Sequence, residues 1–283
     1  MLGGMAPTSA AALSAAERRR LAPLAAALAR ARQGQAGAAG AGGAPRLEPV
    51  LGTLAPGRRR GGGTSGPRAG LLAGSFNPLT KAHAALAVAG HRAGCDPVVL
   101  AMAPVSLAKE RVERAHPLDR LDWVCRWARR HPWAVVAVAS HPLLVDQAEA
   151  LRDALGSAVP VALLLGTDKA VQLTEPHWYD DPAAALARLA QAATLLVAER
   201  AGHPREAATA ALPLPVTTLR LPPWAPERSS TEARTAATAG QPLTGLVPAS
   251  IIPAIIRSHA YDPDPAAYTT RAAMLDALLP AIP

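Results

Sequence analysis

Between residues 69 and 221 the chain alternates short apolar runs with longer stretches of helical periodicity. The runs at 69–73, 97–103 (PVVLAMA), 133–139 (WAVVAVA), 161–166 (VALLLG), 194–198 (TLLVA) and 216–221 (VTTLRL) read as strands. Most are apolar at every position instead of alternating, which is the pattern of a parallel sheet covered on both faces. Helical stretches over 82–93, 117–130, 145–155 and 182–192 separate them, and further helices are predicted over 229–239, 248–258 and 264–279. Strand–helix alternation of this kind indicates an α/β fold: a doubly wound, Rossmann-like parallel sheet with helices on both faces and a C-terminal helical part. Such sheets bind ligands beyond the carboxyl ends of their strands, at the point where strand order reverses. That rule places Gly74–His83, Pro104–Lys109 and Gly166–Asp168 on one rim.

Composition refines this picture. Apolar residues make up 50% of the 283 positions but aromatics only 3%, so the core must be built of Leu, Val and Ala. The net charge of +8 invites a nucleic-acid partner. Its distribution removes that reading. Of 29 basic and 21 acidic residues, ten and two lie in 1–68, so the remaining 215 positions carry no net charge. No nucleic-acid or membrane partner is expected, and the longest apolar runs are far too short to span a bilayer. Cys95 and Cys125 form no CxxC pair, which argues against a zinc or disulfide framework and fits a reducing cytoplasm. The Ala/Gly/Arg-rich, acid-poor residues 1–68, with Pro23 interrupting a stretch that holds Leu21, Leu24 and Leu28, read as a mostly disordered, dispensable extension. Organellar targeting is the weaker alternative for them. The folded part is expected over 69–258, with a C-terminal helical extension over 259–283. A homo-oligomer is left open.

Two segments carry candidate chemistry. After the first run stands Gly74-Ser75-Phe76-Asn77-Pro78-Leu79-Thr80-Lys81-Ala82-His83, with neither the GxGxxG nor the GxxxxGK[ST] phosphate loop present. Gly74 permits close approach of the backbone to an anion, and the following helix aims its positive end at the same spot. Thr80 and His83 are three apart, on one helix face, where a hydroxyl and an imidazole can reach phosphate oxygens. A plain βα turn with a buried histidine would be the better explanation if they stood alone. The second segment is Ser229-Ser230-Thr231-Glu232-Ala233-Arg234. Ser229 and Glu232 suffice for a capping box. Ser230 and Arg234, four apart, additionally bring a hydroxyl and a guanidinium to a helix N-terminus, a fit for one anion.

Together, GSFNPLTKAH and SSTEAR resemble the paired [TH]xxH and SSTxxR signature of the HxGH-type nucleotidyltransferase superfamily. The FNP variant with Thr80 is most similar to the nicotinamide/nicotinate mononucleotide adenylyltransferases. The likeness extends through APVSLAKERVERAHPLDRLDWVCRWA (103–128), LLGTDKAVQLTEPHWYDD (164–181), LLVAER (195–200) and LVPASIIPAII (246–256). It implies the HxGH type of fold and the joining of ATP with a pyridine mononucleotide, releasing pyrophosphate. By this resemblance Gly74, Ser75 and Phe76 line the nucleotides, and Thr80 and His83 contact the ATP phosphates, with His83 stabilising the transition state. Ser230, Thr231 and Arg234 hold the pyrophosphate and Lys109 the mononucleotide phosphate. Asp168 binds ribose or magnesium-linked waters, and Trp178 stacks on the pyridine ring. Mg²⁺ is implied as a cofactor bound through the ATP phosphates, without a dedicated protein cluster. PLLVDQAEAL (142–151) stands where bacterial members usually carry a Ser/Tyr-Thr-x-Asp-Thr-Leu segment, echoed here only by Asp146, so the choice of nicotinate, nicotinamide or another acceptor stays open. Two alternatives remain: a relative using another phosphate acceptor, and a catalytically weak nucleotide-binding regulator.

Overall fold

The computed structural model describes residues 13–36, 43–55, 68–103, 115–175, 178–200, 202, 204–210, 212 and 214–280. Seven strands form one sheet: β1 (Leu47–Leu51), β2 (Arg68–Ala73), β3 (Cys95–Met102), β4 (Ala134–Ala139), β5 (Val161–Gly166), β6 (Thr194–Ala198) and β7 (Val216–Leu219). Their order is β1-β4-β3-β2-β5-β6-β7. All neighbours are parallel except β1, which runs antiparallel to β4. The sheet is therefore a doubly wound parallel one whose order reverses at β2 and β5, as the alternation predicted. The antiparallel edge was not expected.

Among the described residues the helices are α1 (Ala15–Ala36), α2 (Lys81–Arg92), α3 (Pro117–Ala128), α4 (Leu144–Leu155), α5 (Thr167–Gln172), α6 (Pro182–Ala192), α7 (Arg205–Thr209), α8 (Ser230–Thr238), α9 (Ile252–Ser258) and α10 (Ala266–Asp276). Successive side chains of a strand point to opposite faces, and the two cores follow this alternation. Leu72, Leu100, Val136 and Leu164 pack under α1, α2, α3, α8, α9 and α10. Leu71, Val99, Ala137 and Leu163 pack under α4, α5, α6 and α7. Helix α2 lies very close to the sheet: a Cβ on Gly90 would meet Leu164 Cδ1 at 2.5 Å. Among the described residues no helix is long and apolar enough to cross a membrane.

The expectation of a disordered extension over 1–68 fails for α1 and β1. Helix α1 runs through Pro23, and Leu21, Leu24 and Leu28 are buried in the first core. An interior proline costs about 3 kcal/mol through its lost hydrogen bond and its clash. Burying three leucines, at about 1.5–3 kcal/mol each, offsets it. Ion pairs tie the same helix to distant elements: Arg20 Nε to Asp122 at 2.9 Å, and Glu17 to Arg271 at 2.7 Å. Strand β1 holds Pro49 on the sheet edge, where its missing N–H does no harm. The C-terminal part is equally integrated, with Tyr261, Tyr268 and Leu275 in the first core. Tyr268 donates to Asp119, which also pairs with Arg271.

Candidate active site

The loop from β2 to α2 is fastened from several sides. Arg120 of α3 donates to the Ser75 carbonyl (2.8 Å), Arg234 of α8 to the Asn77 carbonyl (2.8 Å) and the Ser230 hydroxyl to the Pro78 carbonyl (2.9 Å). The Tyr261 hydroxyl, beyond α9, donates to Asn77 Oδ1 at 2.6 Å. These bonds hold Phe76 at φ +44°, a left-handed conformation costing a side-chain-bearing residue about 1–2 kcal/mol. Strain of this kind, held by surrounding structure, is characteristic of functional loops.

The loop ends in the cap of α2. Thr80 is its N-cap and His83 its N3 residue, and the two form a capping box in which histidine takes the usual place of glutamate. Thr80 Oγ1 accepts from the His83 amide at 3.3 Å, while His83 Nδ1 accepts from the Thr80 amide at 3.1 Å. A backbone N–H can only donate, so Nδ1 carries no proton and the neutral ring holds its hydrogen on Nε2. Phe76 meets the imidazole edge-on, with centroids 5.4 Å apart. The His83 pKa is pushed down to about 4, chiefly by burial and then by the charge of Arg200, with Lys169 adding and Asp168 opposing. His83 is thus a neutral hydrogen-bond donor near pH 7.

A cleft of about 350 Å³ opens at the carboxyl ends of β2, β5 and β6, lined by Gly74, Ser75, Thr80 and His83 from one side and by Ser229, Ser230 and Thr231 from the other. Ser229 caps α8, its Oγ accepting from the Glu232 amide at 3.0 Å with Glu232 reaching back, so the cap and the cleft wall coexist. Two helices of ordinary length therefore begin at one cleft, and each brings its positive end there. Asp168, Lys169, Arg200 and Arg228 also line it. Arg200 lies 4.0 Å from Asp168 and donates to the Ala225 carbonyl, and Arg228 pairs with Glu232. Gly166 fits this corner because a Cβ there would meet Asp168 Oδ1 at 2.4 Å and Arg200 Cγ at 2.7 Å. With three cations against Asp168, the wall suits a polyanion.

Trp178, Tyr179, Leu143, Leu144 and Gln147 complete the lining. The Trp178 indole N–H donates to Glu175 at 2.8 Å, fixing the ring from behind. Burial raises the Tyr179 pKa, so its phenol stays protonated.

Of the residues singled out in the sequence, Gly74, Ser75, Thr80, His83, Asp168, Trp178, Ser230 and Thr231 come together on this cleft. Two have other positions. Phe76 is buried against Gly74 and His83 instead of facing the cleft. Arg234 sits one layer back, donating to the Asn77 carbonyl and to Thr231 Oγ1. Thr80 is fully buried beneath the cleft, and the Gly74 N–H donates to the Ala101 carbonyl within the sheet. Lys109 lies outside the described residues. Arg200, Arg228, Tyr179 and Gln147 were not singled out. For Arg200 the available signal was its place just after a strand end, in LLVAER.

The fold and site define a class: a doubly wound parallel sheet with a cation-lined cleft at its switch point. No protein-family model matches the chain, and no curated protein matches it. Among solved structures the chain is similar to Plasmodium falciparum nicotinic acid mononucleotide adenylyltransferase complexed with NaAD, at 14% identity and a TM-score of 0.54, covering 69% of this chain and 97% of that one. It is also similar to the same enzyme complexed with APC, at 15% identity and a TM-score of 0.52, with the same coverages. The chain has the fold of these adenylyltransferases.

Proposed function

We propose that the chain is a nucleotidyltransferase of the HxGH superfamily, an adenylyltransferase that joins ATP to nicotinate or nicotinamide mononucleotide, yielding deamido-NAD or NAD and pyrophosphate. One observation carries this reading: the imidazole at the cap of α2 and the hydroxyls at the start of α8, about 150 residues apart in sequence, line one cleft with Lys169, Arg200 and Arg228. The likeness in fold to the Plasmodium enzyme supports it.

In this reaction an oxygen of the mononucleotide phosphate attacks the α-phosphorus of ATP. The new P–O–P bond forms as the bond to the β-phosphate bridging oxygen breaks, and that electron pair leaves with pyrophosphate. The nucleophile is already an anion, so no general base is required, and catalysis reduces to positioning and charge stabilisation. His83 supplies the Nε2–H to a phosphate oxygen on which charge builds, while its own proton stays in place. Thr80 fixes the tautomer that makes this donation available. Thr231, the amides that open α8 and the cations of the cleft receive the leaving pyrophosphate, while the Ser230 hydroxyl, which donates to the Pro78 carbonyl, ties α8 to the loop before α2. Arg234 acts at one remove, holding Asn77 and Thr231 in place. Trp178 and Tyr179 flank the pyridine ring.

Among the described residues no group of three or more metal-ligating side chains exists. Mg²⁺ held largely by phosphates and water fits such a site, with Asp168 the cleft carboxylate able to hold one of those waters. When bound, it would neutralise charge on the ATP phosphates.

The test is pyrophosphate release from ATP with each mononucleotide in parallel. Turnover of at least one is expected, and His83→Ala should lower kcat by about 10²–10³, the usual cost of one transition-state donor, with folding intact. Turnover of neither, or a fully active His83→Ala variant, contradicts the proposal.

A further inference from the structure

Gln147 of α4 is 3% exposed and lines the cleft beside Pro142, Leu143 and Leu144. Its side-chain nitrogen donates to the carbonyls of His141 (3.1 Å) and Pro142 (3.2 Å). Those two acceptors settle the orientation of the amide, because an oxygen in the nitrogen's place would face two carbonyl oxygens. The other end, Oε1, is shielded from solvent and has no hydrogen-bond partner among the described residues. Buried amide oxygens are almost always paired, and one left without a donor is destabilising until a donor reaches it.

The surroundings indicate what kind of donor fits. Leu143, Leu144, Trp178 and Tyr179 make this end of the cleft apolar and aromatic, suited to a flat ring. In the reaction proposed above, on which this inference rests, the ring carries either a carboxamide or a carboxylate. The carboxamide has two N–H donors. The carboxylate has acceptors only, and would set its lone pairs against those of Gln147. The amide group cannot turn to meet it without giving up both carbonyl partners. Lys169 and Arg200 do not reverse this preference, since Lys169 Nζ donates to Gln172 at 2.7 Å and Arg200 is engaged with Asp168 and Ala225.

We propose that Gln147 is a specificity-determining residue whose Oε1 accepts from the ring carboxamide, so that the chain uses nicotinamide mononucleotide in preference to the nicotinate form.

The experiment compares kcat/KM for the two mononucleotides, in wild type and in Gln147→Met. A buried acceptor facing the wrong group discriminates by about ten- to a hundredfold, so wild type should favour the carboxamide by at least about tenfold. Gln147→Met, which has similar length and no amide, should bring the two values to within a few-fold of each other. If Gln147 only held the 141–142 turn, the variant would slow both acceptors alike and leave the ratio unmoved; that result overturns the assignment. So does equal or carboxylate-favouring turnover by wild type, a measurement that needs no variant to fold. Both results leave adenylyl transfer standing, whereas turnover of neither acceptor overturns the underlying function and this inference together.

Discussion

At His83 the chemistry is decided by the cap around it. Glutamate in the same capping position would bring a second carboxylate to the cleft beside Asp168; histidine satisfies the Thr80 amide through Nδ1 and keeps a donor on Nε2. Burial and Arg200 hold its pKa at about 4, against 6.5 for an ordinary imidazole. The sign of the linked stability follows. Above about pH 6.5 neither folded nor unfolded chain protonates this residue, and it contributes nothing. Between 6.5 and 4 the unfolded chain takes up a proton that the folded chain refuses, so stability falls with pH, and below 4 the loss levels off. Between pH 7.5 and 5 wild type should lose up to about 2 kcal/mol more than His83→Asn, read from denaturant midpoints at each pH. Parallel stability curves for the two proteins would show that burial does not depress this imidazole. The residues in contact with His83 were only partly legible in the sequence. TxxH within GSFNPLTKAH marked Thr80 and His83, but the burial of Thr80 and Phe76 and the fastening of Ser75 and Asn77 by Arg120 and Tyr261 depend on distant elements, which no local pattern contains. Gln147 was not legible either, because its significance depends on which carbonyls occupy its nitrogen.

Among the elements, the strands were the most legible. The run at 161–166 coincides with β5 and that at 194–198 with β6, because a strand buried on both faces must be apolar throughout. Helix α6 matches 182–192 for a similar reason: Asp181 caps it through the Ala184 amide and Pro182 opens it. Helix α1 and strand β1 were not legible. Leu21, Leu24 and Leu28 do have helical spacing, but alanines and arginines dilute it, Pro23 argues against it, and the partners Asp122 and Arg271 lie over 100 residues away. Since Leu28 is fully buried in the first core, Leu28→Ala should cost about 2–5 kcal/mol and lower the calorimetric melting temperature accordingly. A change below about 0.5 kcal/mol, the range of surface substitutions, would mean that this helix is an appendage after all.

For the molecule as a whole, the fold places its chemistry by topology. Reversal of strand order at β2 and β5 leaves a crevice at their carboxyl ends. The segments that follow β2, β5 and β6 deliver Gly74–His83, Asp168 and Arg200 to it, and the start of α8 lines the other wall. The +8 net charge bears little on this, because its excess lies within residues 1–68, outside the cleft-forming loops. What carries the proposed function is the meeting of two helix N-termini at one cleft. A crystal structure of the protein with a non-hydrolysable ATP analogue tests that most directly. The account requires phosphate oxygens within hydrogen-bond distance, about 3 Å, of both the His83 imidazole and the hydroxyls of Ser230 or Thr231. Phosphates bound anywhere else, or in contact with only one of the two helix starts, would contradict it.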